Sequence, residues 1–73
     1  MPESVYKVIQ LVGTSPESWE AAARSALVAA SATLDDLRVA EVLKMDLRLE
    51  DNEVMEYRVK LAVSFKYHGH PEM

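Results

Sequence analysis

The sequence predicts an α+β fold in the order β-α-β-β, on three observations. A short run rich in β-branched residues opens the chain. An alanine-rich stretch with helical spacing follows it, and two long stretches with period-two alternation close the chain around a short polar break. Periods of 3.6 and 2 separate helix from half-buried strand.

The first run is Val5-Tyr6-Lys7-Val8-Ile9-Gln10-Leu11-Val12, and it reads as a strand that stops at Gly13. Ser15 then suits a helix N-cap, because its hydroxyl accepts a bond from an otherwise orphan backbone N–H. Pro16 suits the first helical position, where a missing N–H costs nothing. Glu17 and Glu20 put negative charge at the positive end of the helix dipole. From there to Thr33, residues Trp19, Ala22, Ala23, Ala26, Leu27, Ala30 and Leu34 share one face. Asp35-Asp36 closes the helical region.

In the second strand Leu43, Met45, Leu47 and Leu49 alternate with Lys44, Asp46, Arg48 and Glu50. Upstream the phase slips: Leu37 and Val39 keep it, but Glu41 falls on the apolar side and Val42 on the other. A β-bulge near residues 40–42 accounts for that. Asp51-Asn52-Glu53 is a polar break suited to a hairpin turn. In the third strand Met55, Tyr57, Val59, Leu61, Val63, Phe65 and Tyr67 face one way without interruption. The tail from His68 to Met73 is expected to fray.

At 73 residues the chain suits one domain, residues 1–73. A core of this size buries only about 60% of the unfolded surface, so association is the expected source of added stability. Disulfides and thiolate metal sites are excluded because there is no Cys. Net charge is −4, from 8 basic and 12 acidic residues, which argues against nucleic acid as a partner. No apolar run approaches the roughly 18 residues of a membrane span. Met1-Pro2-Glu3-Ser4 lacks the basic and apolar regions of a signal peptide, so a cytoplasmic location is expected.

Lengths predict self-association more directly. A helix of about 18 residues is roughly 27 Å long, whereas a 14-residue strand spans roughly 45 Å at about 3.3 Å per residue. One helix therefore leaves part of the hairpin's apolar face uncovered, and such a face normally marks an interface. Closed homo-oligomers are its usual outcome.

Several strings, taken in order, resemble the dodecin family: Val5-Tyr6-Lys7-Val8-Ile9, Leu11-Val12-Gly13-Thr14-Ser15-Pro16, Ala40-Glu41-Val42, Tyr57-Arg58-Val59 and Val63-Ser64-Phe65-Lys66. The likeness covers about residues 5–67. It implies a three-stranded antiparallel sheet curling around its helix and a hollow dodecamer of identical chains. It also implies a non-enzymatic role in binding and storing a small ligand. For many members that ligand is a flavin, riboflavin or FMN, stacked in pairs between aromatic side chains; some members bind coenzyme A or divalent cations.

The same resemblance places ligand contacts at Val39 and Arg58, and Glu41 joins them as a candidate because it falls on an otherwise apolar strand face. Flavin-binding dodecins carry a stacking Trp where this chain has Val39, and valine offers no π face. Arg58 stands where a Gln often meets the flavin ring, and its guanidinium suits an anionic ligand. Asp46 occupies a position that is basic and meets phosphate in some relatives. Two readings follow: a flavin-storing shell, or a flavin-free shell with a structural or divalent-cation-binding role.

Other groups read more plainly. Trp19 is expected to anchor helix on sheet. Glu41 suits a salt bridge to Arg38, Arg58 or a neighbouring subunit, or else a ligand or cation at an interface. Glu50, Asp51 and Glu53 suit a solvated turn, or a cation gathered around a symmetry axis. His68 and His70 have the chemistry of metal ligands but lie in the tail. With no Cys and no His in an ordered element, there is no nucleophile–base pair, so no enzyme is expected.

Overall fold

The computed structural model describes residues 4–67. Four elements follow in order: β1 (Tyr6–Ser15), α1 (Trp19–Ser31), β2 (Leu37–Glu50) and β3 (Glu53–Lys66). The sheet order is β1-β3-β2, and both pairings are antiparallel. β3 pairs on both edges and takes the central place.

The core forms where helix meets central strand. Ala22, Ala26 and Ala30 recur at four-residue intervals and are buried, and Ala22 and Ala26 cluster with Val59, Leu61 and Val63. Ile9, Leu11, Ala23, Leu27 and Leu37 pack around them. The alanine stripe brings the helix backbone close to the sheet. Gly13 completes that approach: a Cβ there would collide with the carbonyl oxygen of Ala22 and lie 3.0 Å from the Ala26 Cβ.

Gly13 therefore does not end the first strand. β1 runs on to Ser15, which pairs with Tyr57. That pairing holds Ser15 in the sheet and moves the cap three residues along. Ser18, with extended backbone, accepts a hydrogen bond from the Ala21 N–H at 3.0 Å on its side chain. The Ser15 hydroxyl instead accepts from the Glu17 N–H at 3.0 Å, which forms the turn before the helix. The helix is correspondingly shorter than expected, with 13 residues.

Three irregularities in the β2–β3 register set which side chains share a face. They lie between Leu37 and Val39, between Val42 and Lys44, and between Arg48 and Leu49. The first two leave Arg38 and Leu43 as extra residues on β2; the third leaves Met55 extra on β3. The Leu43 bulge, one residue past the expected place, resolves the slipped phase. It sends Val42 and Ala40 to the core side, opposite Leu61 and Val63, and puts Glu41 opposite Ala62 on the outward side. Asp51 and Asn52 make the hairpin turn with φ of 52° and 66°, the left-handed pair of a two-residue connection.

The described chain measures 57 × 20 × 18 Å. α1 accounts for roughly 20 Å of that length at 1.5 Å per residue. The distal hairpin extends past it and leaves Met45, Leu47, Leu49, Val54 and Met55 exposed, Met45 at 56%.

Candidate functional site

The candidate site is built on the outward face of the sheet. Residues directly opposite one another on neighbouring strands point to the same side. The register therefore lays out cross-strand rows on this face: Thr14–Arg58–Asp46, then Val12–Lys60–Lys44, then Gln10–Ala62–Glu41, then Val8–Ser64–Val39.

Arg58 and Asp46 form a forked ion pair. Arg58 Nε donates to Asp46 Oδ1 at 2.8 Å and Nη2 donates to Oδ2 at 3.4 Å. Trp19 fixes the strand beneath it: its indole N–H donates to the Asp46 carbonyl at 3.2 Å. The Trp19 ring also meets Tyr57 edge-on, with centroids 5.1 Å apart. Trp19 is thus the helix-to-sheet anchor the sequence leads one to expect, and it also holds the site's backbone.

The hydrogen bond from Arg58 lowers the pKa of Asp46 below the ordinary carboxylate value, and the charges of Arg58 and Lys44 act in the same direction. A depressed carboxylate pKa contributes stability above its unfolded value of about 3.9, and that contribution is lost as pH falls through the folded value. Asp46→Asn is therefore expected to melt below wild type at pH 6, with the gap closing towards pH 2. A gap in Tm that stays constant over that range in thermal melts would show that the pair does not titrate this way.

The three residues expected to bind ligand do not converge within one protomer. Arg58 lies in a polar recess of about 230 Å³ with Lys44, Asp46, Lys60 and Val12. Val39, 61% exposed, borders a separate recess of about 450 Å³ between α1 and β2. Its other walls are Leu27, Val28, Leu37, Ala40, Val63, Ser31, Arg24 and Arg38, with no aromatic ring among them. Glu41 is exposed and lines neither recess. The expected salt bridge from Glu41 to Arg38 or Arg58 is absent among the described residues, because Arg38 pairs with Asp36 at 3.6 Å and Arg58 with Asp46. At the turn, Glu50 meets Arg48 at 3.4 Å. No three carboxylate or imidazole groups among the described residues gather as a metal site. His68 and His70 lie outside the described residues.

The Arg58–Asp46 pair escapes a reading of the sequence for a definite reason. Counting back from a two-residue turn pairs Asp46 with Tyr57. The extra Met55 shifts the count by one and delivers Arg58 instead.

The dodecin family model matches residues 5–68. The chain belongs to the dodecin family. It is 51% identical over 63 residues to the calcium dodecin of Mycobacterium tuberculosis, covering 86% of this chain and 89% of that protein. It is 44% identical over 62 residues to the dodecin of Thermus thermophilus, covering 85% and 90%. The solved structure of Streptomyces coelicolor dodecin matches with a TM-score of 0.90 at 34% identity, covering 96% of this chain and all of that one. The calcium dodecin structure, described as calcium-chelating with a novel calcium-binding site, matches with a TM-score of 0.81 at 46% identity. It covers 96% of this chain and all of its own. The dodecamer is the typical assembly of dodecins, which are small ligand-binding storage proteins. No helix among the described residues of this dodecin is long and apolar enough to cross a membrane.

Proposed function

We propose that this dodecin closes into a hollow homo-dodecamer in the cytoplasm and holds a small ligand there without transforming it. The observation that carries the reading is the bare apolar face of the distal hairpin, from Met45 to Met55, which no element among the described residues covers. Covering it with further copies of the chain removes that surface from water.

The ligand reading turns on Val39. A paired flavin stack needs flat π faces, and among the described residues the recess beside Val39 has aliphatic, hydroxyl and guanidinium walls. The residues present therefore do not fit the stacked flavin of other dodecins. The second reading, a divalent cation, is favoured by the likeness to the calcium dodecin. Hard cations take six to eight oxygen ligands. No protomer gathers three such groups among its described residues, so the carboxylates would come from several copies, with Glu41 among them.

Val39→Trp is the test. The variant is expected to gain at least about 1 kcal/mol in affinity for riboflavin or FMN over wild type, read as quenching of flavin fluorescence. Equal quenching by both proteins would mean that the residue at position 39 does not set flavin affinity. A parallel calcium titration by calorimetry addresses the second reading. Heat that persists unchanged in Glu41→Gln would remove Glu41 from it.

A further inference from the structure

We propose that the outward face of the distal hairpin docks on the same face of a second copy of this chain, about a two-fold axis that crosses the strands between the Arg48–Glu56 and Asp46–Arg58 rows. Four cross-strand rows of charge follow one another on that face: Glu50–Glu53, Arg48–Glu56, Asp46–Arg58 and Lys44–Lys60. All of these residues are exposed or half-buried. Within one protomer their pairing is uneven. Arg48 meets Glu50 and Glu56, and Arg58 meets Asp46, whose carboxylate also interacts with Lys44. The turn end keeps two acids directly opposite one another, and the far end two bases. Like charges in that relation are destabilising.

The order of signs selects the partner. Read from the turn, β2 presents acid, base, acid, base on this face, and β3 presents acid, acid, base, base. Reversing either series inverts every sign in it. Two copies laid face to face and antiparallel therefore set Glu50 on Lys44, Arg48 on Asp46, Glu53 on Lys60 and Glu56 on Arg58. A two-fold contact is reciprocal, so each of these pairs occurs twice. Sheets stack about 10 Å apart, a gap that opposed long charged side chains fill. Sliding one copy by a single row instead sets Arg58 on Arg58 or Glu56 on Glu56. An axis along the strands would set each row on itself, acids on acids at the turn and bases on bases at Lys44–Lys60. Charges across an interface fix register and exclude wrong alignments more than they supply affinity. Met45 and Leu47 lie on the other side of the hairpin. The contact thus adds a second surface to the assembly proposed above, and rests on that reading only in taking a copy of the chain as partner.

Glu53→Lys and Lys60→Glu test this, followed by light scattering over a dilution series of the full chain. Inside one protomer each substitution relieves a row of like charges. Across the two-fold each sets like on like, so the two effects have opposite signs. At low salt each single variant is expected to raise at least fivefold the protein concentration at which the assembly dissociates. Combining the two substitutions restores opposite charges across the axis and is expected to return the wild-type value. At about 1 M NaCl, where charges are screened beyond roughly 3 Å, the differences are expected to vanish. A wild-type assembly whose single variants dissociate as it does, or whose combined variant is not restored, would overturn the contact and leave the shell standing. Wild-type chains that form salt-sensitive dimers and nothing larger, with the same pattern of loss and rescue, would sustain the contact and remove the shell. Wild-type chains that stay monomeric at every concentration would remove both.

Discussion

Gly13→Ala is expected to prevent this chain from reaching its native fold. Position 13 lies inside β1, opposite Val59, where the helix comes closest to the sheet. The added methyl would run into the carbonyl oxygen of Ala22 and press on Ala26. Both belong to the buried stripe, so neither can move aside like the end of a flexible side chain. Overpacking of a tight core typically costs about 1–3 kcal/mol and sometimes more. A clash with helix backbone belongs at or above the top of that range. A chain of 73 residues has little stability to lose. Circular dichroism and thermal melting check this directly. A variant that melts within a few degrees of wild type would mean that helix and sheet are not so closely apposed.

Met45→Asp combined with Leu47→Asp is expected to break the assembly while sparing the protomer's centre. Both residues lie on the exposed hairpin, opposite Val59 and Tyr57, at 56% and 40% exposure. Burying a side chain of this size contributes about 1.5–3 kcal/mol, and a carboxylate in the same place must be desolvated without a partner. Each copy in a closed shell carries the loss, so the effect multiplies with copy number. Light scattering should find the doubly substituted chain at or near the 8.2 kDa of one protomer, with wild type at the dodecameric mass. If the substituted protein keeps the wild-type mass, its contacts lie elsewhere.

The two substitutions mark how far the sequence can be read. The order of elements, the alanine stripe and the surplus of apolar hairpin were all legible, because each is a periodic pattern longer than a turn. The start of the helix was not. Ser15 and Ser18 are both good caps, and only the pairing of Ser15 with Tyr57 decides between them. Gly13 was misread for the same kind of reason: a glycine that ends a strand and one that admits a helix look alike until the helix is in place. The outward face was the least legible part. One residue of register exchanges every cross-strand partner, and three irregularities intervene between the turn and Leu37. The sequence therefore offered Arg58 only Glu41 or a ligand as a partner, whereas the fold gives it Asp46 and sets Lys60 against Lys44.

The strand order β1-β3-β2 has a consequence for how the molecule is made. Synthesis delivers the middle of the sheet last. While the chain is still emerging from the ribosome, β1 and β2 have no neighbour to bond with, and the helix lacks Val59, Leu61 and Val63 to rest on. Every strand pairing waits for β3, so a product cut short near the turn inherits no partial sheet and keeps only the packing of α1 on β1 and the Trp19–Asp46 bond to hold it together.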